Sequence, residues 1–272
     1  MKPPFAYFGG KTKLAHQIAA TFPPHEHYVE PYGGSLAVLL AKARSRMETV
    51  NDLDGDLMTF WRVLRDQPDE LARVCALTPH ARAEHLEAYA LGEPPDDVER
   101  ARRVWVLLTQ GRGGQLRRTG WRHFVDPAGS VFGMPGYLEA YVARMAPAAE
   151  RLAGVSLECQ PALDLIERYG RSPNVLLYVD PPYLGSTRVS GGYRHEMRTE
   201  DEHRELGEAL LACRATVLLS GYDSPLYDEL YRGWHVTRID TTTGQGGTRQ
   251  ERTEVIWSNR PAEPTLFEVM PA

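Results

Sequence analysis

The chain has 272 residues, of which 42% are hydrophobic and 25% are charged, so it can bury a large core and is not expected to be disordered. Its formal net charge of −5 argues against a protein that coats nucleic acid with its whole surface. No apolar run approaches the roughly 20 residues of a membrane span and no secretory signal is evident, which predicts a cytoplasmic protein without a membrane partner.

The spacing of cysteine and histidine predicts neither a disulfide framework nor a metal site. Cys75, Cys159 and Cys213 are widely separated, and we expect each to be a small core residue. The nine histidines show no HExxH pairing and lie near no cysteine cluster. We therefore expect no metal cofactor.

Residues 5–22 begin with a glycine-containing segment and continue into a predicted helix with apolar residues at every fourth position. Gly10-Lys11-Thr12 does not form a phosphate-binding loop, because that motif requires a glycine where Phe5 stands. The glycines instead allow close approach of the backbone to a cofactor, and Lys11 supplies hydrogen-bond donors.

Residues 27–40 have the pattern of the first unit of a nucleotide-binding sheet. A short strand, residues 27–30, precedes a glycine-containing loop and then a helix with a buried leucine stripe. The next predicted strand, residues 48–51, ends at Asp52. An acid at this position commonly accepts hydrogen bonds from ribose hydroxyls. Asp54 and Asp56 are candidate helix caps, and we assign Asp52 to the ribose and Asp56 to the cap.

From residue 68 to about residue 153 the pattern changes to helical stripes, which predicts an inserted helical region. Within it, residues 100–125 include seven arginines and no acidic residue. These arginines are Arg100, Arg102, Arg103, Arg112, Arg117, Arg118 and Arg122. A positive patch on a mildly acidic chain is typical of a site-specific nucleic-acid enzyme. The alternative is a solvated helix face followed by a loop.

Residues 110–124, the arginine–glycine segment, combine mobile glycines with arginines that can donate to phosphate or guanine. Trp121 and Phe124 offer stacking faces. The predicted DNA-binding residues are Arg112, Gln115, Arg117, Arg118, Trp121 and Arg122. The alternative is a structural loop held down by its aromatic residues.

After the insertion the strand pattern resumes. The predicted strands are residues 155–159, 175–179, 216–220, 234–239 and 254–257, the last two joined as an antiparallel hairpin. Helices are predicted at residues 162–169, after a capping box at residues 199–202, and after Pro225.

The apolar run of residues 175–179 stops at Asp180-Pro181-Pro182-Tyr183, which predicts a buried central strand that ends at Asp180. In open α/β sheets, ligands bind at the carboxyl ends of strands. The carboxylate and the adjacent carbonyl group are both acceptors and suit an amine with two N–H donors, while Tyr183 offers a stacking face. This predicts a pocket for a planar ring with an exocyclic amine, such as adenine or cytosine. The alternative is a strand-ending turn with an exposed Asp.

Four segments, in this order, resemble the Dam-type DNA adenine N6-methyltransferases (D12 class, alpha group). They are residues 7–11, 29–34, 51–52 and 180–183. The resemblance implies an α/β fold with a doubly wound, Rossmann-like methyltransferase sheet, mostly parallel with an antiparallel last strand. It further implies a catalytic domain of residues 1–65 and 154–272, and a helical target-recognition insertion of residues 66–153.

The resemblance also assigns site residues. Those implied to bind the cofactor are Tyr7, Phe8, Gly9, Lys11, Glu30, Pro31, Tyr32, Gly33, Gly34, Asp52, Gln160 and Asp180. Those implied to be catalytic are Asp180, Pro181, Pro182 and Tyr183. Residues 184–198 are rich in Gly, Ser and Arg and lack periodicity, which predicts a loop over the bound base. The chain departs from the family pattern at Leu36, where the family loop has a glycine.

The implied reaction transfers a methyl group from S-adenosylmethionine to the N6 amine of adenine in double-stranded DNA. It follows extrusion of the base, leaves S-adenosylhomocysteine and requires no metal. N4-methylation of cytosine, methylation of RNA or a protein amide, and a non-catalytic DNA-binding subunit remain alternatives. The implied setting is a bacterial or phage cytoplasm, where a cognate restriction endonuclease could share the system without direct contact.

Overall fold

The computed structural model describes residues 1–90, 92–130, 132–184, 192–245 and 248–261. Within these residues, seven strands form a single sheet in the order β3-β2-β1-β4-β5-β7-β6. The strands are β1 His27–Glu30, β2 Met47–Asn51, β3 Ser156–Glu158, β4 Val175–Val179, β5 Thr216–Gly221, β6 His235–Gln245 and β7 Thr248–Ser258. The first five strands are parallel to one another, whereas β7 pairs antiparallel with both β5 and β6. The predicted α/β, mostly parallel fold is confirmed.

Helices cover both faces of this sheet and form most of the region between β2 and β3. They are α1 Ala15–Ala20, α2 Ala37–Ala41, α3 Gly55–Asp66, α4 Pro68–Leu77, α5 Arg82–Ala90, α6 Asp97–Gln110, α7 Gly133–Val142, α8 Met145–Leu152, α9 Ala162–Tyr169, α10 Glu200–Leu211 and α11 Pro225–Leu230. A 3₁₀ turn, Pro127–Gly129, precedes α7. None of the described helices is long and apolar enough to cross a membrane.

Strand β4 lies at the centre of the sheet, and all five of its residues are buried. The chain builds outward from β1 to β3 on one side, and then from β4 to the hairpin on the other. The strand order therefore reverses between β1 and β4, and in such sheets this reversal opens a crevice at the carboxyl ends of the strands. Asp180 follows β4 directly into that crevice.

The hairpin of β6 and β7 is longer than the sequence indicated. Its register runs from His235 opposite Ser258 to Gln245 opposite Thr248. The sequence predicted only the two apolar ends of these strands. The polar middle also pairs, because ladder hydrogen bonds join backbone groups and do not need apolar side chains.

The helical region from residue 66 to residue 153 shares a continuous core with one face of the sheet. Trp61 of α3, Trp105 of α6 and Met145 of α8 are fully buried in the same cluster as Val50 of β2. The Trp105 indole N–H also donates to the Pro4 carbonyl oxygen at 3.1 Å. Residues 66–153 therefore pack directly against the sheet through shared buried side chains. The domain boundaries given above stay a prediction.

The helix caps agree with the sequence at one position and correct it at another. Thr199 and Glu202 form the predicted capping box at the start of α10. The cap of α3, however, is Asp54, whose carboxylate accepts from the Asp56 and Leu57 amides at 3.1 Å. The assignment of this cap to Asp56 was wrong, because Asp56 already lies inside the first helical turn and its backbone cannot precede that turn.

The cysteines also depart in part from the expectation. Cys75 is buried and Cys213 is half-buried, but Cys159 is exposed because it follows the short edge strand β3. Among the residues that the structure describes, no group of three or more His, Cys, Asp or Glu side chains is arranged to hold a metal ion.

Candidate active site

A cavity of about 310 Å³ lies at the carboxyl ends of β1, β2 and β4. Most of the predicted cofactor-binding residues line it: Tyr7, Phe8, Gly9, Lys11, Glu30, Pro31, Tyr32, Gly33, Gly34, Asp52 and Asp180. The structure therefore brings four separate segments of the chain together around one space. Pro182 also lines this cavity, whereas Pro181 and Tyr183 lie on the same turn outside its wall.

Gln160 is the exception among the predicted cofactor residues. It lies at the carboxyl end of β3, but its side-chain amide donates to Glu158 Oε2 at 3.0 Å and does not line the cavity. The adjacent residues Pro161, Ala162 and Leu163, where α9 begins, form this part of the wall instead. A role for the Gln160 side chain toward a ligand stays a prediction.

The loop after β1 curls tightly against the end of β2. The Gly33 amide donates to the Asn51 carbonyl oxygen at 2.7 Å, and the Gly34 amide donates to Asp52 Oδ2 at 2.9 Å. Gly34 has a left-handed backbone, and a Cβ atom there would lie 2.9 Å from the Tyr7 ring. Only glycine fits this position without moving the ring, so the loop presents bare backbone to the cavity.

Leu36 keeps the left-handed conformation for which the family pattern has a glycine. Its φ angle is +52°, and its side chain is fully buried in the core below the loop. A left-handed backbone costs a leucine about 1–2 kcal/mol. Complete burial of the side chain contributes about 1.5–3 kcal/mol, which offsets that cost. The loop therefore has a left-handed residue at position 36, a conformation that glycine adopts readily, although the residue is leucine.

Asn51 joins the turns that follow three neighbouring strands. Its amide group donates to the carbonyl oxygens of Pro31 and Gln160 at 2.9 and 3.0 Å, and its Oδ1 accepts from the Gln160 amide at 3.0 Å. The side chain is fully buried. Since these bonds tie together the ends of β1, β2 and β3, Asn51 shapes the floor of the cavity. The Asn51-Asp52 pair belongs to one of the four family-like segments, but no sequence pattern indicates this role for Asn51.

Two buried carboxyl groups face the cavity. Burial raises the pKa of Asp52 to about 6, although the Asp54 and Gly34 amides, both at 2.9 Å, oppose the rise. Burial also raises the pKa of Glu30 to about 8, against the opposing hydrogen bond from Tyr28, whose hydroxyl donates to Glu30 Oε2 at 2.8 Å. A cation beside either carboxyl group would oppose this rise and favour the ionised form.

Asp180 and Lys11 form an ion pair at the mouth of the cavity. Lys11 Nζ lies 2.8 Å from Asp180 Oδ1, and the two side chains are 8% and 17% exposed. Burial raises the pKa of the Asp180 carboxyl, the Lys11 ammonium opposes this, and the nearby Glu254 carboxylate adds to the rise. Burial alone would lower the pKa of Lys11, but the Asp180 and Glu254 carboxylates outweigh it and raise that pKa. Lys11 is therefore a permanent cation that holds one oxygen of Asp180 in place.

A comparison with known protein families identifies the family of this chain. The D12 class N6 adenine-specific DNA methyltransferase family matches residues 7–244. The chain belongs to this family. The methyltransferase is 26% identical over 280 residues to the type II methyltransferase M1.LlaDCHI of Lactococcus lactis subsp. cremoris, with 95% of each protein covered. It is also 26% identical over 270 residues to a DNA adenine methylase of Salmonella typhimurium, covering 94% of this chain and 95% of the relative.

Solved structures give weaker similarity. A precorrin 8w decarboxylase from Methanobacterium thermoautotrophicum overlaps with 95% of this chain and 97% of its own, at 10% identity and a TM-score of 0.40. The family match confirms the activity that the sequence predicted, methylation of the N6 amine of adenine in DNA by an enzyme with this fold.

The arginine–glycine segment of the methyltransferase folds back on itself beside the cavity. Gly111 and Trp121 form an antiparallel bridge, and the Phe8 amide donates to the Gly114 carbonyl oxygen at 2.8 Å. A Cβ atom at Gly114 would lie 2.7 Å from the Ala6 carbonyl oxygen, so the glycine permits this close docking. The segment therefore contacts the same N-terminal loop that lines the cavity.

The arginines of residues 100–125 divide into two groups. Arg100, Arg102 and Arg103 pair with carboxylates that lie outside residues 100–125: Asp56 of α3 is 2.8 Å from Arg100, and Glu99, on the same helix, is 2.9 Å from Arg103. The expected positive patch is therefore smaller than the sequence indicated, because these ion pairs neutralise its first three members. Arg112, Arg117 and Arg118 are exposed. Arg117 donates to Gln115 Oε1 at 2.9 Å, which links two of the predicted DNA-binding residues.

Trp121 and Arg122 are packed against other rings. The Trp121 indole stacks on His80 at 4.4 Å and on His123 at 5.1 Å between ring centroids. The Arg122 guanidinium lies 5.1 Å from the Tyr137 ring and 5.8 Å from the Phe124 ring. In this conformation Trp121 anchors the segment, and its use as a stacking face for a base would require these rings to separate.

Part of the predicted loop of residues 184–198 also contributes to the wall of the cavity. Residues 193–197 line the cavity opposite β1 and β2. The Tyr193 ring packs edge-on against Phe8 at 5.2 Å. Arg194 donates to Asp56 Oδ2 at 2.6 Å and to the Leu116 carbonyl oxygen at 3.3 Å. It thereby ties the wall to both α3 and the arginine–glycine segment. Residues 185–191 of the same predicted loop lie outside the described residues.

Proposed function

We propose that the cavity binds S-adenosylmethionine and that Asp180 presents an extruded adenine of double-stranded DNA for methylation at N6. One observation carries this proposal. A carboxylate at the end of the central strand is paired with a buried lysine beside a glycine-lined cavity, where the strand order reverses. The family match supplies the class of reaction, and this arrangement supports a division of labour between the residues.

The cavity fits the proposed cofactor by its size and by its groups. Pockets for cofactors commonly range from about 300 to 1,000 Å³, and this one measures about 310 Å³. Gly33 and Gly34 offer bare backbone, the Asp52 carboxylate offers acceptors for two ribose hydroxyls, and ionised Glu30 offers attraction to a cationic group. S-adenosylmethionine supplies, when bound, a methyl group that is open to attack by an amine.

Asp180 is proposed to act directly on the amine of the base. That amine is a poor nucleophile, because its lone pair is delocalised into the adenine ring. Hydrogen bonds to the Asp180 carboxylate and the Pro181 carbonyl oxygen favour a pyramidal nitrogen with a localised lone pair. Lys11 holds Asp180 Oδ1 at 2.8 Å, which fixes the direction of the carboxylate. The raised pKa of Asp180 also suits it to take up the proton that the methylated amine releases.

The target base is proposed to leave the duplex before it reacts. The N6 atom is inaccessible within stacked base pairs, and Asp180 lies at the mouth of a cavity and not on a protruding surface. Tyr183 follows on the same turn and is proposed to stack on the extruded ring. The exposed arginines Arg112, Arg117 and Arg118 are proposed to contact the DNA backbone around the target.

The names of the relatives support a bacterial or phage setting in the cytoplasm, where DNA is the partner. One relative is named a type II methyltransferase, which supports a further proposal that a cognate restriction endonuclease shares the system. No contact between the two enzymes is proposed.

Nucleoside analysis tests the proposed reaction. The protein is incubated with S-adenosylmethionine carrying a labelled methyl group and with mixed-sequence double-stranded DNA, which is then digested to nucleosides. We expect the label in N6-methyl-2′-deoxyadenosine, and none in a parallel reaction with Asp180→Ala. Label in N4-methyl-2′-deoxycytidine would contradict the choice of adenine. Equal labelling by Asp180→Ala would contradict the catalytic role of Asp180.

A further inference from the structure

Glu254 is a buried carboxylate that no motif in the sequence predicted. It lies on β7, opposite Ile239 of β6, and is only 3% exposed. The family match ends at residue 244, ten residues before it. The antiparallel pairing of β7 with β5 nevertheless brings it beside the turn that follows β4.

Several groups of the candidate active site converge on Glu254 Oε1. The Tyr183 hydroxyl donates to it, and the Ser220 hydroxyl of β5 donates to it at 2.5 Å. Lys11 Nζ lies 3.8 Å from the same oxygen and 4.7 Å from the centroid of the Tyr183 ring. Glu254 thus contacts both the residue proposed to stack on the base and the lysine that holds Asp180.

The hydroxyl of Tyr183 is a donor in this contact at all ordinary pH values. Burial, followed by the Asp180 and Glu254 carboxylates, raises its pKa well above the usual value, so the hydroxyl keeps its proton. The Tyr183 ring is also packed edge-on against Tyr222, with ring centroids 4.7 Å apart. The hydrogen bond to Glu254 fixes the far end of the ring, and the contact with Tyr222 limits its rotation.

We propose that Glu254 is a positioning residue for methyl transfer, which sets the plane of the Tyr183 ring and shares the Lys11 ammonium with Asp180. The inference rests on the proposed function, because it assigns Tyr183 to the target base and Asp180 to its amine. Glu254 itself acts through these residues and not on the substrate.

The shared lysine gives this role an electrostatic consequence. The groups that act on Asp180 come from several elements and include Lys11, Glu30, Tyr178, Tyr183, Tyr227 and Glu254. Of these, Glu254 is the negative group that also contacts Lys11. Replacement of Glu254 by neutral Gln removes a like charge near Asp180. It also leaves Asp180 as the carboxylate that pairs with the Lys11 ammonium. Both changes favour the ionised form of Asp180, so its pKa falls.

A double-mutant cycle with a pH profile tests the proposal. Glu254→Leu, Tyr183→Phe and the double variant remove the hydrogen bond from either end, whereas Glu254→Gln keeps an acceptor for the Tyr183 hydroxyl and removes only the charge. We expect Glu254→Leu and Tyr183→Phe each to lower kcat by about 10- to 100-fold, and the double variant to lose no more than the worse single one. In Glu254→Gln, the acidic limb of the kcat/KM profile should move to lower pH, and affinity for S-adenosylmethionine should stay unchanged.

Asp240→Asn is the matched control, because Asp240 lies on the same hairpin, is exposed and accepts from Thr253 at 2.9 Å. It should leave both kcat and the profile unchanged. Additive losses in the double variant, or an acidic limb that does not move in Glu254→Gln, overturn the proposal. If the Glu254 variants do not fold, the proposal is tested by Tyr183→Phe alone. A wild-type kcat in Tyr183→Phe then overturns the proposal. A wild-type protein that labels no DNA contradicts the proposed function instead, so the two failures are distinguishable.

Discussion

Lys11 Nζ lies 2.8 Å from Asp180 Oδ1, although the two residues are 169 positions apart in the chain. Both side chains are largely buried, and a buried charge without its partner is strongly destabilising. The ion pair therefore fixes the glycine-containing N-terminal loop against the end of β4. It also holds the carboxylate that is proposed to bind the target amine.

Asp180→Ala should abolish methyl transfer and leave the fold and most DNA affinity intact, because apolar packing holds β4 beneath it and Glu254, 3.8 Å from Lys11 Nζ, still partners the buried lysine. Asp180→Asn is the finer probe, since it keeps the size of the side chain but removes its charge and can turn a donor toward the amine. Initial rates with labelled cofactor, together with thermal melts, measure both effects. Near-normal turnover in both variants would exclude a catalytic role for Asp180.

Asp52→Ala should weaken S-adenosylmethionine binding by about 1.5–3 kcal/mol, because charge-assisted hydrogen bonds to the ribose would be lost. Isothermal calorimetry measures the affinity. Asp69→Ala, at an exposed position of α4, is the control for a change in net charge and should bind normally. An unchanged affinity in Asp52→Ala would remove Asp52 as the ribose ligand.

Glu30→Gln should stabilise the protein at about pH 8 and have little effect at about pH 5. Burial raises the pKa of Glu30 from 4.5 to about 8 in the folded state, so above pH 4.5 the unfolded chain gains from an ionisation that the folded protein resists. This penalty grows until the pH reaches the folded pKa. Because one pKa unit corresponds to about 1.4 kcal/mol, the gain near pH 8 should be at least about 2 kcal/mol.

Urea titrations of the ligand-free protein at the two pH values measure this difference for Glu30→Gln. Gln retains an acceptor for the Tyr28 hydroxyl, so the loss of that hydrogen bond does not confuse the comparison. The same change in stability at both pH values would show that Glu30 ionises normally in the folded protein.

Asn51→Ala should cost about 2–4 kcal/mol of stability and also weaken S-adenosylmethionine binding. The variant leaves the Pro31 carbonyl and both backbone groups of Gln160 without their side-chain partner, and the ends of three strands would separate. Asn259→Ala is a matched control. Asn259 makes comparable bonds to the Ala215 carbonyl and the Val217 amide, away from the residues that line the cavity.

Denaturant melts and calorimetry separate the two effects in these asparagine variants. The Asn259 variant should lose stability but keep its cofactor affinity. If both variants retained the same affinity, Asn51 would serve the fold and not the shape of the cavity.

Alanine substitutions at Arg112, Arg117, Arg118 and Arg122 should weaken DNA binding and flatten its dependence on salt by about 0.9 in log–log slope for each lost phosphate contact. A base-reading arginine would instead relax sequence preference at one position, by about 1–3 kcal/mol of discrimination. Titration of DNA against salt separates these cases. Cofactor affinity should stay unchanged in each variant.

Arg171→Ala provides the matched control for these variants, because Arg171 is exposed and pairs with Glu167, four residues before it in the chain, at 2.5 Å. It should leave DNA affinity and salt slope unchanged. If all four variants of the arginine–glycine segment behaved like Arg171→Ala, recognition would have to involve other surfaces, such as residues 184–198 or 241–252.

The strands of the sheet and the position of Asp180 at the end of β4 could be predicted from the amino-acid sequence. An apolar run closed by two prolines specifies a buried strand and its end, because both effects act within a few residues. The capping box at Thr199 and Glu202 was readable for the same reason. The order of the four short motifs was enough to indicate the family, and the family match confirmed it.

The pairing of charged side chains, in contrast, depends on the tertiary structure and could not be predicted from the sequence. Asp54 caps α3 while Asp56 pairs with Arg100 and Arg194, a choice that depends on partners 44 and 138 residues away from Asp56. The antiparallel return of β7 likewise brings Glu254 to Tyr183 across 71 residues. Local periodicity carries no information about contacts at such separations, because they arise only when the sheet is complete and its strand ends share one edge.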